Sequence, residues 1–141
     1  LLSADACGTV TVRLLEADDV CSGERVVNLM VKAKLLKTPG AKGYSKVARQ
    51  VPGAASWDAA SFTFHPTCTS DHVMVTTWHK PDETLKLLPE KIGFASLGLD
   101  VLLSKADKRT GCAYVDTWLL LEGISPNDNG GRVHVQVEYQ A

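Results

Sequence analysis

The amino-acid sequence predicts an all-β protein, folded as an eight-stranded antiparallel β-sandwich. Short segments in which apolar and polar residues alternate recur along the chain, and turns rich in Gly, Pro and Asp separate them. Almost no segment shows the period of a helix. The stretch 51–66 combines a Pro-Gly turn, Trp57 and an F-x-F strand, in which Phe62 and Phe64 lie on one face. These observations together indicate two sheets with one apolar core.

The eight strands are predicted from the alternation of residue types, element by element. They cover 9–15, 26–36, 44–51, 60–64, 72–78, 92–99, 114–122 and 132–139. The last of them alternates most regularly, and the connection over 103–111 can hold a short helix. We expect the aromatic side chains Trp57, Phe62, Phe64 and Trp118 to be largely buried, with Trp57 closing one end of the core.

Length and composition favour one domain that spans 1–141. The chain has 141 residues, a formal net charge of −1 and no run of eighteen apolar residues that would cross a membrane. The opening LLSADAC is too short and lacks the positive charge of a signal peptide, and it resembles the start of a domain excised from a larger protein. We therefore expect a cytoplasmic domain.

The four cysteines leave two interpretations open. Cys7, Cys21, Cys68 and Cys112 are far apart, form no C-x-x-C pair and have no His at zinc-ligand spacing. They are either free thiols in a reducing compartment or two disulfides of a secreted domain.

The order of sequence landmarks resembles that of C2 domains over nearly the whole chain. An alternating strand closed by A-x-x-L appears here as TVTVRLLEADDV, and a turn before W-x-x-x-x-F-x-F appears as PGAASWDAASFTF. An I-G strand, a W-x-x-L segment at Trp118 and the closing GRVHVQVEY follow in the family's order. The strand order is similar to that of the C2 domains of phospholipases C and novel protein kinases C. The resemblance implies a C2-like sandwich.

The resemblance also implies where calcium ligands would lie, and most of them are missing. The first loop offers only Glu24, and the D-x-D after the fifth strand falls on Trp78-His79-Lys80. Calcium requires about six to eight oxygen ligands, and a Lys beside the site opposes it. We expect a calcium-independent domain with no metal and no cofactor, although Glu90 matches one ligand position. A displaced weak site at Asp82 and Glu83 is the alternative.

Positive charge is concentrated in one hairpin, where no acidic residue interrupts the segment from Lys32 to Arg49. The basic residues are Lys32, Lys34, Lys37, Lys42, Lys46 and Arg49. In similar C2 domains this hairpin lines a concave face that binds anionic head groups, above all phosphoinositides. Each basic residue near an anionic membrane contributes about 1 kcal/mol. The alternative is a solvated edge whose lysines prevent strand aggregation.

A longer loop, 79–91, is a candidate for membrane insertion. Apolar side chains beside lysines can enter the interface of a bilayer, and those predicted to do so are Trp78, Leu85, Leu87 and Leu88. The alternative is that the leucines fold back over the core.

No catalytic motif is present in the sequence. G-x-S-x-G, P-loop and H-E-x-x-H motifs are missing, so we expect no enzymatic activity. The basic hairpin lacks interleaved aromatics, which argues against nucleic acid as a partner. The predicted function is a calcium-independent, peripheral membrane-targeting module that binds anionic lipids. The alternative is an interaction domain whose protein partner presents an acidic or phosphorylated peptide.

Overall fold

The computed structural model describes residues 7–58, 60–82, 84, 87–125 and 129–140. Two antiparallel sheets pack face to face around one core, which confirms the predicted sandwich. In the long terminal strands, buried apolar side chains that face the opposite sheet alternate with more exposed ones on the outer face.

The first sheet contains the amino- and carboxyl-terminal strands as neighbours. It consists of β1 (Thr9–Asp18), β5 (Ala55–Ser56), β6 (Ser61–Phe64), β9 (Cys112–Leu120) and β11 (Arg132–Gln140). Strand β11 lies between β1 and β9, while β5 and β6 both pair with β1. Strand β9 is therefore an edge of this sheet.

The second sheet contains the basic hairpin. It consists of β2 (Val27–Leu35), β3 (Lys42–Tyr44), β4 (Ala48–Val51), β7 (His72–His79), β8 (Glu90–Gly98) and β10 (Glu122–Gly123). The order is β10-β8-β7-β2-β3, and β4 also pairs with β2. The helix α1 (Leu99–Leu103) follows β8 directly.

The core lies between the sheets and contains mostly β-branched and aliphatic residues. Val10, Val12 and Leu14 of β1 face Leu29, Val31 and Ala33 of β2, and all six are buried. Phe64 is 5% exposed, and Phe62 packs beside it with the ring centroids 6.4 Å apart.

Eight strands were predicted, and two of them are interrupted in the structure. The predicted third strand is divided into β3 and β4, and the seventh into β9 and β10, whereas the predicted fourth strand is β6 and the short β5 precedes it. The short helix was expected within 103–111, but it occupies Leu99–Leu103. None of the four cysteines forms a disulfide, and only Cys21 is buried.

Trp118, which was predicted to be largely buried, lies outside the core. Its register partner on β11 is His134, which alternates with the buried Val133 and Val135 and so lies on the outer face. Trp118 is half-buried there because His134 stacks on it at 5.1 Å and the Arg132 guanidinium lies 4.4 Å from its ring centroid. Trp57 and Phe62 are also only half-buried, although both pack against the core.

Candidate functional site

The outer face of the second sheet has apolar side chains on one half and lysines on the other. In antiparallel strands, directly opposed residues point to the same face. One such row contains Ser96, Met74, Lys34 and Lys42, the next contains Phe94, Thr76, Lys32 and Tyr44, and a third contains Lys91, Trp78 and Met30. The strands β2 and β3 provide the lysines of the first two rows, and β7 and β8 most of the apolar residues.

A cavity of about 550 Å³ opens on this face, and we call it the lysine groove. Its lining includes Met30, Lys32, Tyr44, Lys46, Trp78 and Lys80. The three lysines converge from β2, from the segment after β3 and from the end of β7. Such a cavity has the size of a small-ligand site. Its cationic lining over aromatic and thioether side chains suits an anionic group attached to an apolar body.

The break between β3 and β4 places Lys46 at this groove. The Ser45 hydroxyl accepts a hydrogen bond from Val31 N–H at 2.9 Å and donates one to Lys46 O at 3.1 Å. The indole N–H of Trp57 donates to the same carbonyl at 2.8 Å. A side chain thus replaces part of the strand ladder, and the backbone of Lys46 is fixed from two sides.

The six predicted basic residues do not form one cluster. Lys32 and Lys46 line the groove, while Lys34 and Lys42 oppose each other on the adjacent row of the same face. Lys37 lies in the turn after β2, where its ammonium donates to the Ser70 hydroxyl at 3.0 Å. This bond ties Lys37 to the turn before β7 and separates it from the groove.

Arg49 also lies apart from the lysine groove. Its charge acts on Asp82, whose pKa is lowered chiefly by hydrogen bonds from the backbone N–H and hydroxyl of Thr84 and further by Arg49. Arg49 therefore belongs to the loop end of the sandwich. The alternative calcium site at Asp82 is weakened by the same contacts, and Glu83 lies outside the described residues.

Tyr44, Met30 and Lys80 line the groove, although the sequence did not predict them as ligand-binding residues. Tyr44 lies two residues after Lys42 and Met30 two residues before Lys32, so strand alternation places both on the lysine face. Lys80 directly follows β7, and only the fold brings it to the Lys46 segment. The Lys32 ammonium lies 5.5 Å from the centroid of the Tyr44 ring.

Trp78 was predicted to insert into a membrane, and the structure places it in the wall of the lysine groove. Its indole N–H donates to the Thr76 hydroxyl at 2.9 Å, and the Lys91 ammonium lies 5.5 Å from its ring centroid. It is half-buried and forms part of the groove wall, because it belongs to β7 and not to the loop. In the loop itself, Leu87 is 62% and Leu88 86% exposed, and Leu85 lies outside the described residues.

At the loop end of the sandwich, Glu90 is paired with Arg25, at the position that the resemblance matches to a calcium ligand. Arg25 donates two hydrogen bonds to the two carboxylate oxygens of Glu90, both at 2.7 Å, and these bonds lower the pKa of Glu90. Burial and the nearby Arg25 charge lower the pKa of His79, whose Nδ1 accepts from Asn28 N–H at 3.0 Å. The carboxylate of Glu90 is thus neutralised from within the protein.

The described ranges contain neither a metal-binding cluster nor a membrane-spanning helix. No group of three or more His, Cys, Asp or Glu side chains is arranged there to hold a metal ion. Among the same residues, no helix has the length and apolar character needed to cross a bilayer.

Solved structures match this chain closely in fold. It aligns with a C2 domain of a plant extended synaptotagmin 1 at a TM-score of 0.74 and 18% identity, over 96% of this chain and 95% of that one. A structure described as a C2 domain gives 0.65 and 12%, over 96% of this chain and all of the other. A calcium-bound pair of C2 domains from extended synaptotagmin 2 gives 0.69 and 12%, over 94% of this chain and 45% of that one. No protein-family model and no curated protein matches the sequence.

These comparisons show that the chain has the C2 fold. The expected eight-stranded sandwich and the resemblance drawn from the order of sequence landmarks are thereby confirmed.

Proposed function

We propose that this domain is a non-enzymatic, membrane-targeting module that binds anionic phospholipids, phosphoinositides above all, without calcium. The observation that supports the proposal most directly is the lysine groove, in which Lys32, Lys46 and Lys80 converge. In the described part of the chain, none of these lysines forms an ion pair with a carboxylate. Their charge is therefore available to a phosphate group.

The neighbouring residues suit a lipid better than a free anion. Lys34 and Lys42 extend the positive surface along the sheet, so more than one head group can be contacted. Met30 and Trp78 give the groove an apolar floor, and Trp is favoured at the bilayer interface. Each lysine near an anionic surface contributes about 1 kcal/mol, so five of them supply about 5 kcal/mol, which corresponds to a dissociation constant of about 0.2 mM before any apolar contact is added.

Calcium independence is part of the proposal and is supported by the loop end. The Glu90 carboxylate is already paired with Arg25, and Lys80 lies where the resemblance would place a calcium ligand. A cytoplasmic, peripheral location at membranes follows as part of the same proposal.

Vesicle co-sedimentation in chelator tests this function. Vesicles of phosphatidylcholine with a phosphoinositide should bind the domain, and the increment over phosphatidylcholine alone should fall as salt rises. The screening length shortens from about 10 Å at 0.1 M salt to about 3 Å at 1 M. Reversal of Lys32, Lys46 and Lys80 to Glu should reduce the increment by at least about 100-fold.

The matched control reverses Lys105, Lys108 and Arg109, which are exposed in the connection between α1 and β9. It changes the net charge equally, and we expect it to retain most of the increment. Equal losses in the two triple variants would show that bulk charge and not the groove is responsible.

If the unmutated domain binds no anionic vesicle, the interaction-domain hypothesis becomes the better one. The same lysines would then contact an acidic or phosphorylated peptide. Strand β9, a nine-residue edge of its sheet, gives that hypothesis a second surface for an extended peptide.

A further inference from the structure

A second cavity, of about 400 Å³, lies on the other side of the Tyr44–Lys46 segment. It opens where β3 of one sheet meets β6 of the other, and we call it the aromatic slot. Its lining includes Tyr44, Lys46, Trp57, Asp58 and Phe62. Three aromatic side chains thus share one small cavity with a carboxylate and an ammonium group.

The aromatic walls are held in place by the fold. Gly43 faces the ring of Phe62 so closely that a Cβ would lie 2.3 Å from a ring carbon, so a glycine is needed there. The Trp57 indole N–H is already bonded to Lys46 O at 2.8 Å. What Trp57 offers a ligand is therefore its ring surface and not its hydrogen-bond donor.

Aromatic ring surfaces attract cations, and quaternary ammonium groups are the ligands that such clusters recognise best. Asp58 is exposed at the slot and adds a full negative charge in the direction that favours a cation. Lys46 is also exposed and adds a positive charge beside it. Opposite charges next to an aromatic wall complement a ligand that is itself a zwitterion.

We propose that the aromatic slot binds the phosphocholine head group of a lipid. The trimethylammonium group lies against Trp57 and Phe62 near Asp58, and the phosphate contacts Lys46. A methylated lysine would satisfy only the aromatic half of the slot, since it has no phosphate to place beside Lys46. The slot and the lysine groove share Tyr44 and Lys46, so a zwitterionic and an anionic head group would bind side by side.

Titration of the isotope-labelled domain with soluble phosphocholine tests the proposal by NMR. We expect saturable shifts at the Trp57 indole and at the amides of Tyr44 and Lys46. Asp58→Asn should weaken binding about fivefold, as expected for the loss of one nearby charge. Glu122→Gln, on the opposite edge strand β10, removes the same charge and should leave the affinity unchanged.

The role of the ring is tested separately from the fold. Trp57→Phe retains an aromatic face and should keep most of the affinity, whereas Trp57→Leu should lower it about fivefold. Amide spectra of both variants away from the slot should match the unmutated spectrum, which excludes misfolding as the cause.

Three ligand arms decide the chemistry. Choline chloride should bind the slot more weakly than phosphocholine, and inorganic phosphate should leave the Trp57 indole unshifted. Tighter binding of a trimethyl-lysine peptide, or an effect of phosphate equal to that of phosphocholine, would overturn the proposal. No anionic vesicle is used, so failure here leaves the lysine groove untouched, and absence of the phosphoinositide increment over phosphatidylcholine leaves the slot untouched.

Discussion

The outer faces of the two sheets present similar residue types, Arg or Lys, Trp and polar groups. They differ in whether the cation beside the tryptophan is paired with a carboxylate. On the first sheet, Arg132 bonds Asp18 at 2.9 Å and lies over Trp118. His134 forms a close hydrogen bond with Asp116, which also accepts a hydrogen bond from Gln136 at 3.0 Å. The Arg132 guanidinium on this face is therefore matched by a carboxylate.

On the second sheet the positive groups have aromatic neighbours but no carboxylate among the described residues. Lys32 lies near Tyr44, and Lys91 lies near Trp78. Lys34 directly opposes Lys42, a like-charge pair that destabilises a sheet slightly. The fold tolerates this repulsion, and an anionic ligand would relieve it.

This difference in charge pairing shows that residue composition alone does not identify a binding face. What distinguishes the two faces is whether each charge is satisfied inside the protein. A paired charge has little attraction left for a partner, whereas an unpaired cluster produces a field outside the molecule. Variants that alter each face in the same way make this comparison testable.

The largest expected effect concerns the core that both faces share. Phe64→Ala should lower the free energy of unfolding by about 3–5 kcal/mol, because it removes a buried ring and leaves a cavity. Trp118→Ala should cost about 1 kcal/mol, since stacking and cation–π contacts at a half-exposed site are weaker. Urea denaturation measures both, provided that the slope of each transition is unchanged.

Equal costs for the two substitutions would place Trp118 in the core after all. The sequence left this point ambiguous, because Trp118-Leu119-Leu120-Leu121 has no alternation from which a face can be assigned. The register with β11 decides it, and register follows from the regular alternation around His134.

Strand alternation was sufficient to predict the sandwich and the common face of Lys32 and Lys34. It could not predict the groove. The break at Ser45 depends on a side chain that replaces a backbone bond to Val31, and a continuous strand was equally compatible with the pattern. The convergence of Lys80 on Lys46 depends on tertiary packing.

The pairing of Arg25 with Glu90 was likewise beyond the sequence. The two residues are 65 positions apart, and nothing in either local pattern links them. Their proximity results from the loop connections at one end of two packed sheets.

The next prediction compares the two face tryptophans in vesicle binding. Trp78→Ala should weaken binding to phosphoinositide vesicles about fivefold, because it removes part of the apolar floor of the lysine groove. Trp118→Ala should have no effect, since Trp118 lies on the outer face of the other sheet. Co-sedimentation at fixed salt measures both, and an equal loss in the two variants would contradict a face-specific site.

A smaller effect is expected for acid pH on the paired face. The hydrogen bond from Arg132 lowers the pKa of Asp18 below its usual 3.8. The carboxylate therefore stabilises the folded state above about pH 4, and this contribution is lost as pH falls through the lowered pKa. Asp18→Asn should cost about 0.2–1 kcal/mol at pH 7, and the difference from the unmutated domain should disappear in acid.

Thermal melts at pH 7 and in steps below pH 4 measure this convergence. Glu24→Gln, at an exposed position in the loop after β1, is the matched control and should show no such dependence. A gap between Asp18→Asn and the unmutated domain that persists in acid would mean that Asp18 acts by packing and not by charge.

The smallest expected effect is that of calcium, which tests the loop end. There the carboxylate of Glu90 is paired with Arg25, as the carboxylate of Asp18 in the first sheet is paired with Arg132. A divalent cation would have to displace a bidentate guanidinium and approach Lys80, and both costs oppose binding. A ligand that binds only the folded state raises the melting temperature, and the rise grows with the ratio of ligand concentration to Kd. We therefore expect millimolar calcium to leave the melting temperature within about 1 °C of its value in chelator, and calorimetry to detect no saturable heat.

A rise of several degrees that chelator reverses would contradict this. Glu90→Gln should abolish that rise if Glu90 leaves Arg25 to bind the ion, and Glu24→Gln should abolish it if the first loop supplies the carboxylate.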